Sequence, residues 1–168
     1  MNIFNIERTF KLKAERNWQT IYFAIDAHGT LIKPTYNEVI DFYPDAIEVM
    51  KWLNARADIV TILWTASYPA EIAKFLEESF KQGIKFDFVN SNPLEQNSRL
   101  GCFTRKFYAN VILDDKGSFD GECDWTLIAK VLENVTGDKI LEWNEEQRLR
   151  LNKGISEKIN DLNSLIIL

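Results

Sequence analysis

Three short apolar runs in this chain each stop on a polar residue, and amphipathic stretches separate them. Ile21 to Ile25 ends at Asp26, Ile59 to Leu63 at Trp64-Thr65, and Val111 to Leu113 at Asp114-Asp115. Runs this short and this rich in branched residues predict strands buried on both faces. Phe86 to Val89 predicts another. Asp45 to Ala57 carries Ala46, Val49, Met50 and Leu53 at helical spacing, with Pro44 at the first helical position. Ser67 is a candidate N-cap for a helix with Pro69 near its start and Ile72, Phe75, Leu76 and Phe80 on its apolar stripe, closed by Gly83. Trp125, Ile128, Ala129 and Leu132 mark a further helix that stops near Gly137. Strands alternating with helices predict an α/β fold, a three-layer α/β/α, Rossmann-like domain with a mainly parallel sheet. In such sheets ligands bind beyond the C-terminal ends of the strands. Asp26, Thr65, Asp114 and Asp115 all fall there.

The chain has 168 residues, the length of one domain. Its core is expected over about residues 20–136 and a C-terminal helical extension over about 138–168. In that extension Asn144 and Gln147 have the spacing of a capping pair, ahead of Leu151, Ile155, Ile159, Leu162 and Ile166. Gly154 weakens the helix by roughly 1 kcal/mol relative to Ala. The stripe predicts a helix that packs on its own domain or on a second copy of the chain, as a homo-oligomer.

A hydrophobic fraction of 46%, with 11 Phe and 5 Trp, gives ample core material. A net charge of −5 argues against non-specific nucleic-acid binding, which needs Lys and Arg against phosphates. Cys102 and Cys123 have no zinc-site spacing and do not make a disulfide framework, as expected of free thiols in a reducing compartment. The N-terminal stretch carries early charges and no continuous apolar segment, so it does not read as a signal peptide. No run reaches the roughly 18 apolar residues of a membrane span. The expectation is a soluble, cytoplasmic protein with no membrane partner.

The polar residues at the strand ends suit phosphate-ester chemistry. Asp26 is a candidate nucleophile, followed by the turn Ala27-His28-Gly29-Thr30, in which Gly29 permits close approach of the backbone to a phosphate or metal. Asp114 and Asp115 offer hard oxygen ligands for Mg²⁺. Thr65 offers a hydroxyl and a backbone N–H at a strand-to-helix junction. Lys106 stands just before the last strand. Three carboxylates in one pocket repel without a cation, so Mg²⁺ and Lys106 are expected to neutralise them.

These runs resemble motifs of the haloacid dehalogenase (HAD) superfamily. IYFAIDAHGTL is similar to its first motif, ILWTAS to its second, Arg105-Lys106 to its lysine motif and VILDDK to its acidic motif, in the same order. Finer phrases, GIKFDFVNSNP and RKFYANVILDD, resemble a subgroup of small bacterial and phage HAD-like hydrolases. The resemblance covers roughly residues 20–136. It implies a Mg²⁺-dependent phosphomonoesterase acting on a phosphorylated substrate through an aspartyl-phosphate on Asp26. It further implies phosphate binding by Thr65, Ala66, Gly29 and Lys106. Metal contacts are implied from Asp26, the His28 backbone carbonyl, Asp114 and Asp115.

The superfamily's second aspartate, the general acid/base, is replaced by His28. Three readings stay open. His28 serves as the acid/base, since an imidazole suits proton transfer near neutral pH. Alternatively the chain is a weak or inactive module that binds Mg²⁺ and a phosphorylated ligand or protein partner. Or the chemistry has shifted to one that needs no acid there. The segments after Thr30 and between Thr65 and Lys106 are too short for a separate cap domain. An open site is expected, walled by Lys33 to Tyr43 and by Ser91 to Thr104. Asn90 and Asn92 are candidate lining residues.

Overall fold

The computed structural model describes residues 4–34, 39–99, 101–104 and 106–166, the last six of them as backbone. Arg105, part of the Lys33 to Tyr43 segment, and the side chains of Leu162 and Ile166 therefore lie outside the described residues.

Helix α1 (Phe4–Arg16) leads into strand β1 (Ile21–Asp26). Helix α2 (Ala46–Ala55), strand β2 (Ile59–Trp64), helix α3 (Pro69–Lys81), strands β3 (Phe88–Val89) and β4 (Val111–Leu113), and helices α4 (Asp124–Thr136) and α5 (Glu145–Ile166) follow. The four strands are all parallel, in the order β3-β2-β1-β4. This is an α/β fold with five α-helices among the described residues, consistent with a Rossmann-like arrangement. The register sets Asp26 beside Trp64 and Ile25 beside Leu113, so the polar residues that end the strands share one edge of the sheet.

Alternation of side chains along β1 separates the two faces. Ile21, Phe23 and Ile25 enter the main core with Leu63, Leu113, Met50, Leu53 and Trp125. Helix α1 packs on α4 and on β1 and β4, α2 packs on β2 and α4, and Phe75 of α3 joins the same core. The helices thus gather on one face. Against the other face, with Tyr22, Ala24 and Ile62, lie Phe107 and Tyr108 of the segment before β4, whose described residues form no helix. Tyr108 packs edge-on against Tyr22 and Phe107 against Trp64. Ile112 remains 52% exposed there. Among the described residues no helix supplies the expected third layer on that face, because β4 is reached from β3 by a segment without helical periodicity.

Local departures from the sequence reading have identifiable causes. Pro44 lies outside α2. Asp45 is the N-cap instead, with φ 62°, and its buried carboxylate accepts bonds from Thr126, Gln147 and Arg150. Tyr68, not Ser67, caps α3, and its N–H donates to Glu71 Oε2 at 2.9 Å. Phe80 is 76% exposed, since the buried line of α3 runs through Phe75 and Ser79. Helix α1 was not apparent in the sequence, where charges break its apolar spacing, although Ile6 is fully buried.

The Asn144–Gln147 capping pair forms as expected: Gln147 N–H donates to Asn144 Oδ1 and Asn144 N–H to Gln147 Oε1, both at 3.0 Å. Helix α5 packs on α4 of its own domain. Gly154 is what lets it approach, since a Cβ there would stand 3.2 Å from Cys123 Cβ. Among the described residues no helix is long and apolar enough to cross a membrane.

Candidate functional site

Asp26, Asp114 and Asp115 converge at the C-terminal edge of the sheet. Their carboxylate oxygens lie within 4.8 Å of one another. Asp26 ends β1, and Asp114 and Asp115 follow β4 directly, so the parallel register brings them together. Burial pushes the Asp26 carboxyl up to about 6; the Ala27 N–H opposes this, and the neighbouring Asp114 and Asp115 charges reinforce it. A cluster of this kind is relieved by a cation. Its three hard oxygen donors fit Mg²⁺ or a similar divalent ion. The His28 imidazole is not part of the trio.

The carboxylates form one wall of an open pocket of about 580 Å³. His28, Thr65, Ala66, Ser67 and Asn90 form the others, with Trp64 at the rim. His28 is exposed, and its Nδ1 lies 3.4 Å from Ser67 Oγ. Asn90, at φ 51°, holds Thr65 by two bonds: it accepts from the Thr65 N–H at 2.8 Å and donates to the Thr65 carbonyl at 2.7 Å. The Thr65 N–H is therefore not offered to a ligand, contrary to the sequence expectation. The Thr65 hydroxyl remains in the pocket, donating to Ser67 Oγ at 3.1 Å and accepting from the Ser67 N–H at 3.2 Å.

Gly29 plays a different part from the one expected. Its N–H donates to the Ile32 carbonyl at 2.8 Å, and it does not line the pocket. Its φ is +79°, and it sits against Asp115, so its lack of a side chain makes room for the carboxylate rather than for a phosphate. Asp115 is fixed further by its N–H, which donates to the buried Thr30 hydroxyl at 2.9 Å. Thr30 in turn is held through its carbonyl by the buried Trp125 indole N–H at 2.7 Å.

The structure does not bring Lys106 into this pocket. It is exposed and lines a smaller recess of about 140 Å³ with Ala24, Phe107 and Ile112, on the coil-covered face of the sheet. Trp64 stands between the two spaces. The pocket's lysine is Lys116, whose ammonium pairs with Asp115 Oδ2 at 2.6 Å; that bond raises its pKa. The Lys116 N–H also donates to Asp114 Oδ1 at 2.9 Å, closing a short 3-10 turn over Asp115–Gly117. Lys116 and Ser67 were missed in the sequence. The available signal was position, since each closes a run already singled out, ILWTAS and VILDDK. Asn92 is buried and does not line the pocket; it donates to the Tyr108 carbonyl at 2.8 Å.

No family model matches the chain, and no curated protein matches it. A solved structure is similar to it, described as the structure of the conserved protein coded by a locus from Bacteroides thetaiotaomicron. The TM-score is 0.54 and the identity 24%, over 68% of this chain and 91% of that one. The likeness is one of fold alone.

Proposed function

We propose that the chain is a HAD-type phosphohydrolase, a Mg²⁺-dependent phosphomonoesterase with Asp26 as its nucleophile. The observation that carries this reading is the meeting of Asp26, Asp114 and Asp115 oxygens at the strand ends, facing the Thr65 hydroxyl across an open pocket. Asp26, Asp114 and Asp115 would hold the metal ion, with the His28 backbone as a further contact. When bound, the ion supplies the positive charge that the phosphoryl oxygens and the carboxylates need. The Asp26 carboxylate attacks phosphorus, the ester P–O bond breaks, and His28 gives a proton to the departing alcohol oxygen. His28 then takes a proton from the water that attacks the aspartyl-phosphate, which frees phosphate and Asp26. Ser67, 3.4 Å from Nδ1, orients the ring and leaves Nε2 for that proton. The Thr65 hydroxyl and Lys116 bind phosphoryl oxygens.

The test is phosphate release from a broad panel of phosphomonoesters with Mg²⁺, for the native chain, Asp26→Asn and His28→Asp. Turnover abolished by Asp26→Asn is the expected result, with a changed pH profile in His28→Asp. A second reading, a binding module for Mg²⁺ and a phosphorylated ligand or protein partner, is favoured by the position of Lys106 outside the pocket. A silent native chain with activity appearing only in His28→Asp would select it.

A further inference from the structure

At the opposite end of the sheet from the carboxylates is a second cleft, of about 390 Å³, for which the phosphohydrolase reading has no use. Tyr22 and Asp26 are four residues apart on β1, so the two sites are separated by about 13 Å of strand. Three aromatic residues line the cleft: Trp18, Tyr22 and Tyr108. Tyr22, which is buried, and Tyr108 pack edge to face, with ring centroids 6.0 Å apart and planes at 82°. Phe103 backs Tyr108 at 5.5 Å. Asn110 fixes the corner: its Nδ2 donates to the Tyr108 hydroxyl at 2.9 Å, and its Oδ1 accepts from the Tyr22 N–H at 2.8 Å.

Glu95 is the one ionisable carboxylate in the lining, and no Lys, Arg or His is among the described lining residues. The Tyr22 hydroxyl donates to Glu95, and burial with the Glu95 bond and charge pushes the Tyr22 pKa up to about 12. The cleft is thus negative at the carboxylate, with Trp18, Tyr22 and Tyr108 lining it beside that charge. One face of Trp18 is occupied by the Arg16 guanidinium, 5.7 Å from the ring centroid, which leaves Glu95 and the other rings to meet a ligand. Aromatic rings beside a carboxylate attract a poorly hydrated organic cation by cation–π and Coulomb forces together. A metal ion prefers several oxygen ligands, and this cleft offers a single carboxylate.

We propose that the cleft of Trp18, Tyr22, Tyr108 and Glu95 binds a small alkylammonium ion, of the quaternary type that choline represents. The rings supply the walls and Glu95 the countercharge. The site is independent of the phosphate chemistry.

The experiment is a calorimetric titration of the full chain with choline and with its neutral isostere, 3,3-dimethylbutan-1-ol, for native protein, Glu95→Gln and Trp18→Leu. Native protein is expected to bind choline saturably and the alcohol more weakly. Each substitution is expected to weaken choline by about five- to thirtyfold. Trp18→Leu provides a second reading should Glu95→Gln fail to fold. Equal affinity for choline and the alcohol overturns the proposal. So does choline binding that neither substitution weakens, or no saturable binding up to about 50 mM choline.

Discussion

The carboxylate of Asp115 lies over Gly29 so closely that a Cβ on the glycine would stand 2.7 Å from Oδ2. Gly29 is also at φ +79°, where side chains other than glycine are strained. Gly29→Ala therefore carries two penalties, a backbone cost and a displaced carboxylate. The expected loss of stability is about 1–3 kcal/mol. If the proposed Mg²⁺ site is correct, the functional effect is weaker Mg²⁺ binding, because Asp115 leaves the trio. Thermal unfolding and a Mg²⁺ titration measure the two. An unchanged Tm with unchanged metal affinity would mean that the Asp115 side chain moves aside freely.

Asp26 makes the metal-free fold sensitive to pH in a direction opposite to a salt-bridged carboxylate. Its pKa is about 6 in the fold against 3.8 for an unperturbed aspartate. The folded protein holds this proton more tightly than the unfolded chain does. The contribution is fully present below 3.8 and is lost as pH rises through about 6. Asp26→Asn removes the dependence and should stabilise the metal-free protein at pH 7.5 by about 1–2 kcal/mol, a figure reduced for solvent screening of a half-buried group. At pH 3.5 the two proteins should match. On the proposed Mg²⁺ site, saturating ion should reverse the order, since about 2.7 kcal/mol comes from a ligand at a hundred times its Kd, and Asp26→Asn would lack one of the proposed ligands. Denaturant unfolding at the two pH values, with and without Mg²⁺, checks each step.

The strand ends were legible because burial on both faces forces a continuous apolar run, and the first polar residue after it falls at the C-terminal edge of the sheet. Asp26, Thr65 and Asp114 were found in this way, and parallel register did the rest. The Asn144–Gln147 pair was legible because a capping box is local. What escaped depends on distant contacts. Asp45 meets Gln147 and Arg150 from positions about a hundred residues away, and no periodicity encodes that. Lys106 and Lys116 both precede or follow β4 closely, and only the turn at Asp115–Gly117 decides which one reaches the carboxylates. The stretch before β4 reads as a loop in the sequence, but its packing on the second sheet face escaped for a related reason. Tyr108 and Phe107 cover strands through single aromatic contacts, which leave no repeating pattern in the chain.

Asn90 acts on the pocket through Thr65. Its amide makes both a donor and an acceptor bond to one backbone unit, a pairing that a carboxylate cannot reproduce. Asn90→Asp keeps the acceptor and sets a charge against the Thr65 carbonyl. Thr65 should shift, and with it the hydroxyl that faces Asp26. If the phosphohydrolase reading holds, kcat/KM falls about tenfold or more with most of the change in KM, because Thr65 binds phosphoryl oxygens. Asn90→Ala should cost about 0.5–1.5 kcal/mol of stability, since both bonds to Thr65 are exposed and water can take the place of the amide. Steady-state kinetics and thermal unfolding of the two variants separate positioning from folding, and full activity in Asn90→Asp would show that Thr65 is held by other means.

The ion pair of Asp45 with Arg150 ties the start of α2 to α5, at a separation of 3.2 Å with only 6% and 17% of the side chains exposed. Thr126 and Gln147 also donate to Asp45, so its charge is well met by hydrogen bonds. Removing one partner of a buried pair strands the other. Arg150→Met should therefore cost about 2–4 kcal/mol, below the upper end for buried pairs because two donors remain. Asp45→Asn should cost less, since asparagine tolerates the left-handed φ of 62° and keeps the acceptor oxygen. In Asp45→Asn with Arg150→Met no charge is stranded, and stability should recover most of the loss. Urea unfolding of the three variants gives the coupling energy directly. If the double variant is as unstable as Arg150→Met alone, the loss resides in the packing of the arginine stem between α4 and α5, and Asp45 tolerates its burial without a cation.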